Sequence, residues 1–391
     1  MQKQPSAPAL PFNPNLHGLR AIAAMAVLLY HWGAAFTPFN SIRRVMVLPL
    51  FGTSFDLGML LDFGHLGVPL FFILSGYLLT AQLIARELKP QVAYRFWLRR
   101  AMRIYPAFWL QLVALVAIAL LFGPAPEWGD FVDALGLIFL WVDLPEPMSA
   151  QLNGVWWTLP IELSFYVVLP FLVLLSARIG WKTTLACSLV ISIAWRCLVM
   201  DHFESENYFV HLATLDSLPG SLFTFGIGFS IAHILARRPV LPSQLRPALL
   251  AVSALLFYGL LCWHRANTQA YWAGHWMLAF WTPMVAIIIG SVMLVLIEPP
   301  RGFGWLSSKP MVWLGDVSFG IYLWHYPLLL IVYRVSTSDW NSPLHSLAAL
   351  VIVIVGTLLL AAFSYHCIEK PIMARRFSPV SAATQNESAR Q

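Results

Sequence analysis

Long apolar runs separated by short polar stretches dominate this chain. Ten of them suit helical spans, at about 20–36, 66–84, 106–122, 160–176, 181–199, 218–236, 247–263, 275–297, 317–334 and 344–366. A helix needs roughly 20 predominantly apolar residues to cross a hydrocarbon core of about 30 Å. Several runs contain Gly or Pro, which membrane helices tolerate because neighbouring groups satisfy the freed backbone. Residues 134–142 are apolar but too short to span, and suit an interfacial or re-entrant piece. The pattern predicts an all-α polytopic membrane protein of about ten transmembrane helices. Its expected parts are a polar N-terminal tail at 1–15, one membrane domain at 16–376 and a disordered polar tail at 377–391. The first helix reads as an uncleaved span, with no repeat and no appended soluble domain.

Composition sharpens this picture. The chain of 391 residues is 59% hydrophobic and 11% charged, against about 25% charged in soluble domains. The net charge of +6 does not indicate nucleic acid, because the basic residues sit mostly in short loops between spans. Arg86, Lys89, Arg95, Arg99, Arg100 and Arg103 crowd the segment between the second and third runs. The positive-inside rule puts that segment, and by alternation both termini, in the cytoplasm. Asp56, Asp62, Glu127, Asp130, Asp133, Asp143, Glu146, Asp201, Glu204 and Glu206 then fall outside; Arg43 and Arg44 go against the rule. The four cysteines have no metal or CxxC spacing and read as buried inert thiols.

Four polar clusters interrupt the apolar runs. Arg20 and His31 are eleven residues apart with no charge between them. That is close to three helical turns, so they share a face about 16 Å apart. Ionisable groups inside a membrane usually face a bundle interior or a cavity and mark a function. Imidazole, with a reference pKa near 6.5, can take a proton from a hydroxyl. A snorkelling anchor for Arg20 and a structural role for His31 are the plainer alternatives. Arg99, Arg100 and Arg103 form the second cluster, just before the third run. Arg100 and Arg103 share a helix face, and their forks suit a phosphate-rich ligand such as a nucleotide or coenzyme A. An ordinary positive-inside anchor competes with that reading.

The third cluster runs from Gly154 through Trp157 and Glu162 to Tyr166. Glu162 is the one acidic residue expected within a span, either as a packing partner of a buried cation, as a partner of His31, or as a ligand for acceptor hydroxyls. The fourth holds Ser318, Tyr322 and His325, spaced i, i+4 and i+7 along one helix face. Helix–helix hydrogen bonding is its plainer explanation. The stretch from Gly64 to Leu78 reads mainly as tight packing around Gly67 and Gly76.

In this order the clusters resemble the acyltransferase-3 family of integral membrane O-acyltransferases. The resemblance rests on Arg20 and His31, Phe71-Phe72-Ile73-Leu74-Ser75-Gly76-Tyr77, Arg99 through Pro106, Trp157 through Glu162, Ser318 through His325, and Glu369-Lys370-Pro371. Two positions depart from it. His17 and Pro69 stand where the family often has acidic residues. The resemblance implies transfer of an acyl group, commonly acetyl, from cytoplasmic acyl-CoA to a hydroxyl of an extracytoplasmic or lipid-linked carbohydrate. It implies His31, Glu162 and Arg20 as catalytic residues and Arg99, Arg100 and Arg103 as donor ligands. Ser75, Tyr77, Trp157, Ser318, Tyr322 and His325 would line the cavity. Acyl-CoA is expected as co-substrate with no bound cofactor or metal, in the cell's inner membrane, with lipid and a carbohydrate as partners and no nucleic acid. A proton-coupled transporter or flippase of a saccharide or organic ion is the competing reading, since ten spans with intramembrane His, Arg and Glu fit a carrier too.

Overall fold

A computed structural model describes residues 13–37, 46–50, 53–56, 58–122, 153–237, 241–336 and 339–376. The expected 134–142 segment, Arg43, Arg44, Glu127, Asp130, Asp133, Asp143, Glu146 and most of both tails lie outside them. Among the described residues, nine helices are long and apolar enough to cross a membrane, or ten if one bent pair counts as a span. The long helices are α1 (Pro14–Phe36), α2 (Gly67–Ile84), α3 (Pro90–Phe122), α4 (Thr158–Ile179), α5 (Trp181–Phe203), α6 (Leu218–Ala236), α7 (Leu245–Ala266) and α8 (Met277–Leu296). The pair α9 (Lys309–Asp316) and α10 (Ser318–Val335) meets at 69°, and α11 (Pro343–Phe363) follows. One antiparallel hairpin, Val47–Leu50 with Thr53–Asp56, is the only sheet among these residues. The all-α reading therefore holds for the membrane body.

The expected third span is the largest difference. It does not begin near residue 106; α3 is one continuous helix from Pro90, with Pro106 in its interior. The arginine cluster is thus carried on the helix itself rather than on a preceding loop. The cysteines differ too. Cys187, Cys197 and Cys367 are exposed and Cys262 is half-buried. In a bilayer an apolar side chain gains little by turning inward, because lipid is as apolar as the core.

Helix packing follows small residues. Gly76 of α2 meets the Phe225 backbone of α6, and Gly228 of α6 meets the Ile73 backbone of α2. A Cβ at either position would collide with main-chain carbonyls, so these two helices approach as only glycine permits. Around them lies an apolar cluster that includes Ile73, Leu74, Tyr77, Phe223, Ile231 and Met293.

Prolines set a second constraint. A proline inside a helix has no N–H for the carbonyl four residues earlier, and no water is available in a bilayer core to replace it. Pro170 frees the Tyr166 carbonyl, which accepts from the Trp97 indole of α3 at 3.0 Å. Pro327 frees the Leu323 carbonyl. Gln111 Nε2 of α3 and Asn153 Nδ2 donate to it, the latter at 3.1 Å. Gln111 Oε1 in turn accepts from Trp156 Nε1 at 2.7 Å. Two proline-broken helices are thereby tied to α3 at fixed heights.

Gln111→Leu should lower stability by about 1–3 kcal/mol, the usual cost of orphaning buried polar groups. Pro327→Ala in the same chain restores the helix's own N–H and should recover part of that loss. Thermal unfolding of the purified single and double variants measures both.

Candidate functional site

Two cavities lie end to end between the helices. The first, about 290 Å³, is lined by Arg20, Ser75, Arg100, Arg103, Glu162 and Tyr166, among others. The second, about 550 Å³, takes in Tyr30, His31, His65, Trp157, Arg196 and His264. Val68, Phe72 and Tyr322 line both, so these three side chains form the wall between them. The helices explain the separation. Along α1, Arg20 reaches the first cavity and His31, three turns on, reaches the second. Along α2, which runs the opposite way, Pro69 faces the second while Ser75 and Gln82 face the first.

Arg20 braces the α9–α10 bend. Its Nε donates to the Gly315 carbonyl at 3.3 Å and its Nη2 to Ser318 Oγ at 3.1 Å. Gly315 lies in the last turn of α9, where carbonyls lack helical donors. His17 joins the same bend through Asp316, at 2.8 Å. The acid that the resemblance expects at position 17 is met here by a carboxylate from another helix. The guanidinium of Arg20 also lies 5.9 Å from the centre of the Phe71 ring. It is therefore a cavity-lining cation with a fixed position, not a snorkelling anchor.

Arg100 and Arg103 enter the same cavity from α3, and the Arg100 Nε is buried with no hydrogen-bond partner. Arg99 is half-buried and does not line the cavity. Opposite stands Glu162 of α4, whose Oε1 accepts from Ser75 Oγ at 3.0 Å and from the Tyr166 hydroxyl one turn along. The first cavity thus combines three guanidinium groups with two held carboxylates, Glu162 and the Asp316 that pairs with His17. Arginine forks recognise phosphate and carboxylate groups.

His31 has a different partner from the one expected. Its Nδ1 lies 3.0 Å from His325 Nε2. His325 is fully buried, and its own Nδ1 lies 3.0 Å from the Ile321 carbonyl. A carbonyl only accepts, so His325 carries its proton on Nδ1. A neutral His325 then offers Nε2 as an acceptor, and His31 donates from Nδ1. This leaves Nε2 of His31 as an unprotonated lone pair in a residue that lines the second cavity. Such a histidine can accept a proton from a bound hydroxyl. Glu162 is not in this chain of contacts; it belongs to the other cavity. Helical periodicity had placed His325 on one face with Ser318 and Tyr322, but nothing in the sequence paired it with His31.

Tyr322 closes the wall. Its hydroxyl donates to the Val155 carbonyl at 2.9 Å and contacts Thr158 Oγ1 at 2.9 Å. Trp157 lines the second cavity, while Ser318 and His325, also expected at a cavity, line neither and instead contact Arg20 and His31 from behind. Tyr77 lines neither cavity and belongs to the apolar cluster between α2 and α6. The sequence reading placed Tyr166 in a cluster but gave it no role, and missed Arg196 and His264. Arg196 carried a signal, since it is a charged residue within an expected span, at 181–199. Among the described residues, no three His, Cys, Asp or Glu side chains cluster so as to hold a metal.

A family model described as an acyltransferase domain matches residues 13–363. YrhL of Bacillus subtilis (strain 168) is 29% identical over 388 residues, which are 94% of this chain and 56% of the relative. Peptidoglycan O-acetyltransferase OatA of Listeria monocytogenes is 25% identical over 396 residues, 93% of this chain and 56% of the relative. O-acetyltransferase OatA of Staphylococcus aureus (strain MRSA252) is 26% identical over 401 residues, 96% of this chain and 59% of the relative. The chain thus spans just over half the length of these curated relatives. No solved structure matches it.

Tyr322→Phe keeps the ring and removes the hydroxyl that satisfies Val155. It should lower stability by about 1 kcal/mol, read from the unfolding transition of the purified protein, while leaving the wall between the cavities in place in a structure of the variant.

Proposed function

The chain belongs to the acyltransferase-3 family, and from that premise we propose that it moves an acetyl group from acetyl-CoA to a hydroxyl of an envelope carbohydrate. The observation that carries this reading is the pair of abutting cavities, one lined by guanidinium groups and the other by a histidine with an open lone pair. The enzyme class now outweighs the carrier reading. The names of the OatA relatives support acetyl as the group and a glycan as the acceptor. The positive-inside count supports a cytoplasmic arginine cavity, an outward-facing His31 cavity and a place in the cytoplasmic membrane.

In the proposed reaction the phosphates of the donor lie against Arg100 and Arg103, where the partnerless Arg100 Nε supplies an N–H for an anion. Arg20 adds charge at the same cavity. Glu162, held by Ser75 and Tyr166, accepts from amide or hydroxyl groups of the donor's arm. The thioester end passes between Val68, Phe72 and Tyr322, the side chains common to both cavities, to reach the acceptor hydroxyl. From the other side the acceptor hydroxyl approaches His31.

Nε2 of His31 takes the hydroxyl proton as the oxygen attacks the thioester carbonyl carbon. A C–O bond forms, the carbonyl electrons move onto oxygen, and their return breaks the C–S bond. The departing thiolate receives the proton from His31, giving an ester and a thiol with the histidine restored. His325 keeps the ring in the needed tautomer and shares the positive charge that His31 carries between the two proton transfers.

His31→Ala should reduce transfer by about 10²–10⁴-fold, the range for loss of a general base, with membrane insertion intact. Purified protein, radiolabelled acetyl-CoA and short N-acetylglucosamine oligomers give the readout; undiminished labelling of glycan would remove His31 from the base role. Arg100→Gln with Arg103→Gln should raise the donor KM at least tenfold with a smaller change in kcat. A kcat loss at unchanged KM would count against phosphate binding.

A further inference from the structure

The second cavity is larger than one hydroxyl at His31 requires. Its volume of about 550 Å³ falls within the roughly 300–1,000 Å³ of sites that enclose a drug-sized ligand. Its far end has a distinct composition. His264, Tyr271 and Trp281 stand together, with the His264 ring centre 4.5 Å from that of Tyr271 and 4.6 Å from that of Trp281. All three line the cavity.

Two polar atoms in the lining of this cavity have no partner in the protein. His264 is 9% exposed and Thr224 is 1% exposed. Both line this cavity, and neither His264 Nδ1 nor Thr224 Oγ1 makes a hydrogen bond. Orphaned buried polar atoms are rare because each costs about 1–3 kcal/mol. Two on one cavity wall point to a ligand with hydroxyl or amide groups. Beside them the Arg196 guanidinium, 1% exposed, is tied to the Asp216 carboxylate and to the Gly220 and Leu278 carbonyls. Each of its three nitrogens donates within the protein and its charge is paired with Asp216, so it stiffens this wall rather than seeking an anion.

A line of rings joins this end to the reacting histidine. Centre-to-centre spacings are 5.0 Å from His31 to Tyr30, 5.0 Å from Tyr30 to His65, 5.9 Å from His65 to Phe63 and 5.2 Å from Phe63 to His264. Four ring-to-ring steps therefore separate the two ends. Aromatic faces flanked by hydrogen-bonding groups suit a ligand with apolar C–H faces and a polar rim. Saccharide rings have that form.

We propose that His264, Thr224, Tyr271 and Trp281 form a second subsite that holds a sugar unit other than the one acylated, so that the enzyme selects an oligosaccharide over a free sugar. This rests on the second cavity being the acceptor cavity. The tyrosine and tryptophan faces stack on the distal ring, while His264 Nδ1 and Thr224 Oγ1 bond its hydroxyl or acetamido groups. The distal unit then fixes which hydroxyl of the proximal unit meets His31.

The test measures binding of N-acetylglucosamine and of its β-1,4-linked tetramer to the purified full chain by isothermal titration, with acetyl transfer to each followed in parallel. The wild type should bind the tetramer more tightly. Thr224→Val and His264→Ala should each lower the tetramer-to-monomer affinity ratio about tenfold, the equivalent of one lost hydrogen bond. Thr224→Val removes a hydroxyl that bonds nothing in the protein, so a purely structural role predicts no loss with either sugar. Equal wild-type affinities, no tetramer binding, or equal losses with both sugars would overturn the subsite even where transfer proceeds. Tetramer binding that depends on Thr224 and His264 without any transfer supports the subsite and overturns the acyl-transfer assignment instead.

Discussion

The demand that every backbone polar group find a partner without water shapes this protein more than any single side-chain contact. Most of the chain meets it by forming helices. The exceptions occur where a proline or a bend interrupts a helix. The carbonyls freed by Pro170 and Pro327 are met by Trp97, Gln111 and Asn153, and that of Gly315 at the α9–α10 bend by Arg20. Each repair joins a second element to the broken helix. The helices carrying Glu162, Tyr322 and His325 are held in register by these bonds, so the two cavities inherit their geometry from backbone satisfaction.

The polar residues then divide by height along the helices. One α1 turn holds Arg20 against the bend; three turns on, His31 meets His325. The same two helices bring a guanidinium cavity and an imidazole cavity to opposite faces of one wall. Helices α1 and α10 contribute side chains to both cavities.

The spans were legible because a helix in lipid must be apolar along its whole length, and that pattern survives in any sequence. The run at 218–236 matches α6 residue for residue. The α3 start was not legible, because arginines at the membrane edge look the same on a loop and on a helix. Arg20, His31 and Glu162 stand out as polar groups in apolar runs, whereas Ser75 and Trp157 came only from the family resemblance; all five line a cavity. Their grouping was not legible, since neither the His31–His325 contact nor the Ser75–Glu162 bond has a signature in spacing. Tyr77 shows the opposite error: one residue on from Gly76 it turns into packed helix faces, as the glycine spacing implied, and only the family resemblance put it at a cavity. Thr224 and His264 stayed hidden because a threonine or an edge histidine in a span is ordinary until its surroundings show that it bonds nothing.

The wall of Val68, Phe72 and Tyr322 has an electrical consequence. A bilayer stores energy in ion gradients only while it insulates, and two water-accessible hollows that met freely would be a leak. Two hydrocarbon side chains and a phenol ring anchored to Val155 break the continuity that hydrated ions require. On the proposed chemistry no solute needs to travel through: only the donor's slender thioester arm enters between these three side chains, filling the gap it opens, and the membrane stays charged while its carbohydrates are altered.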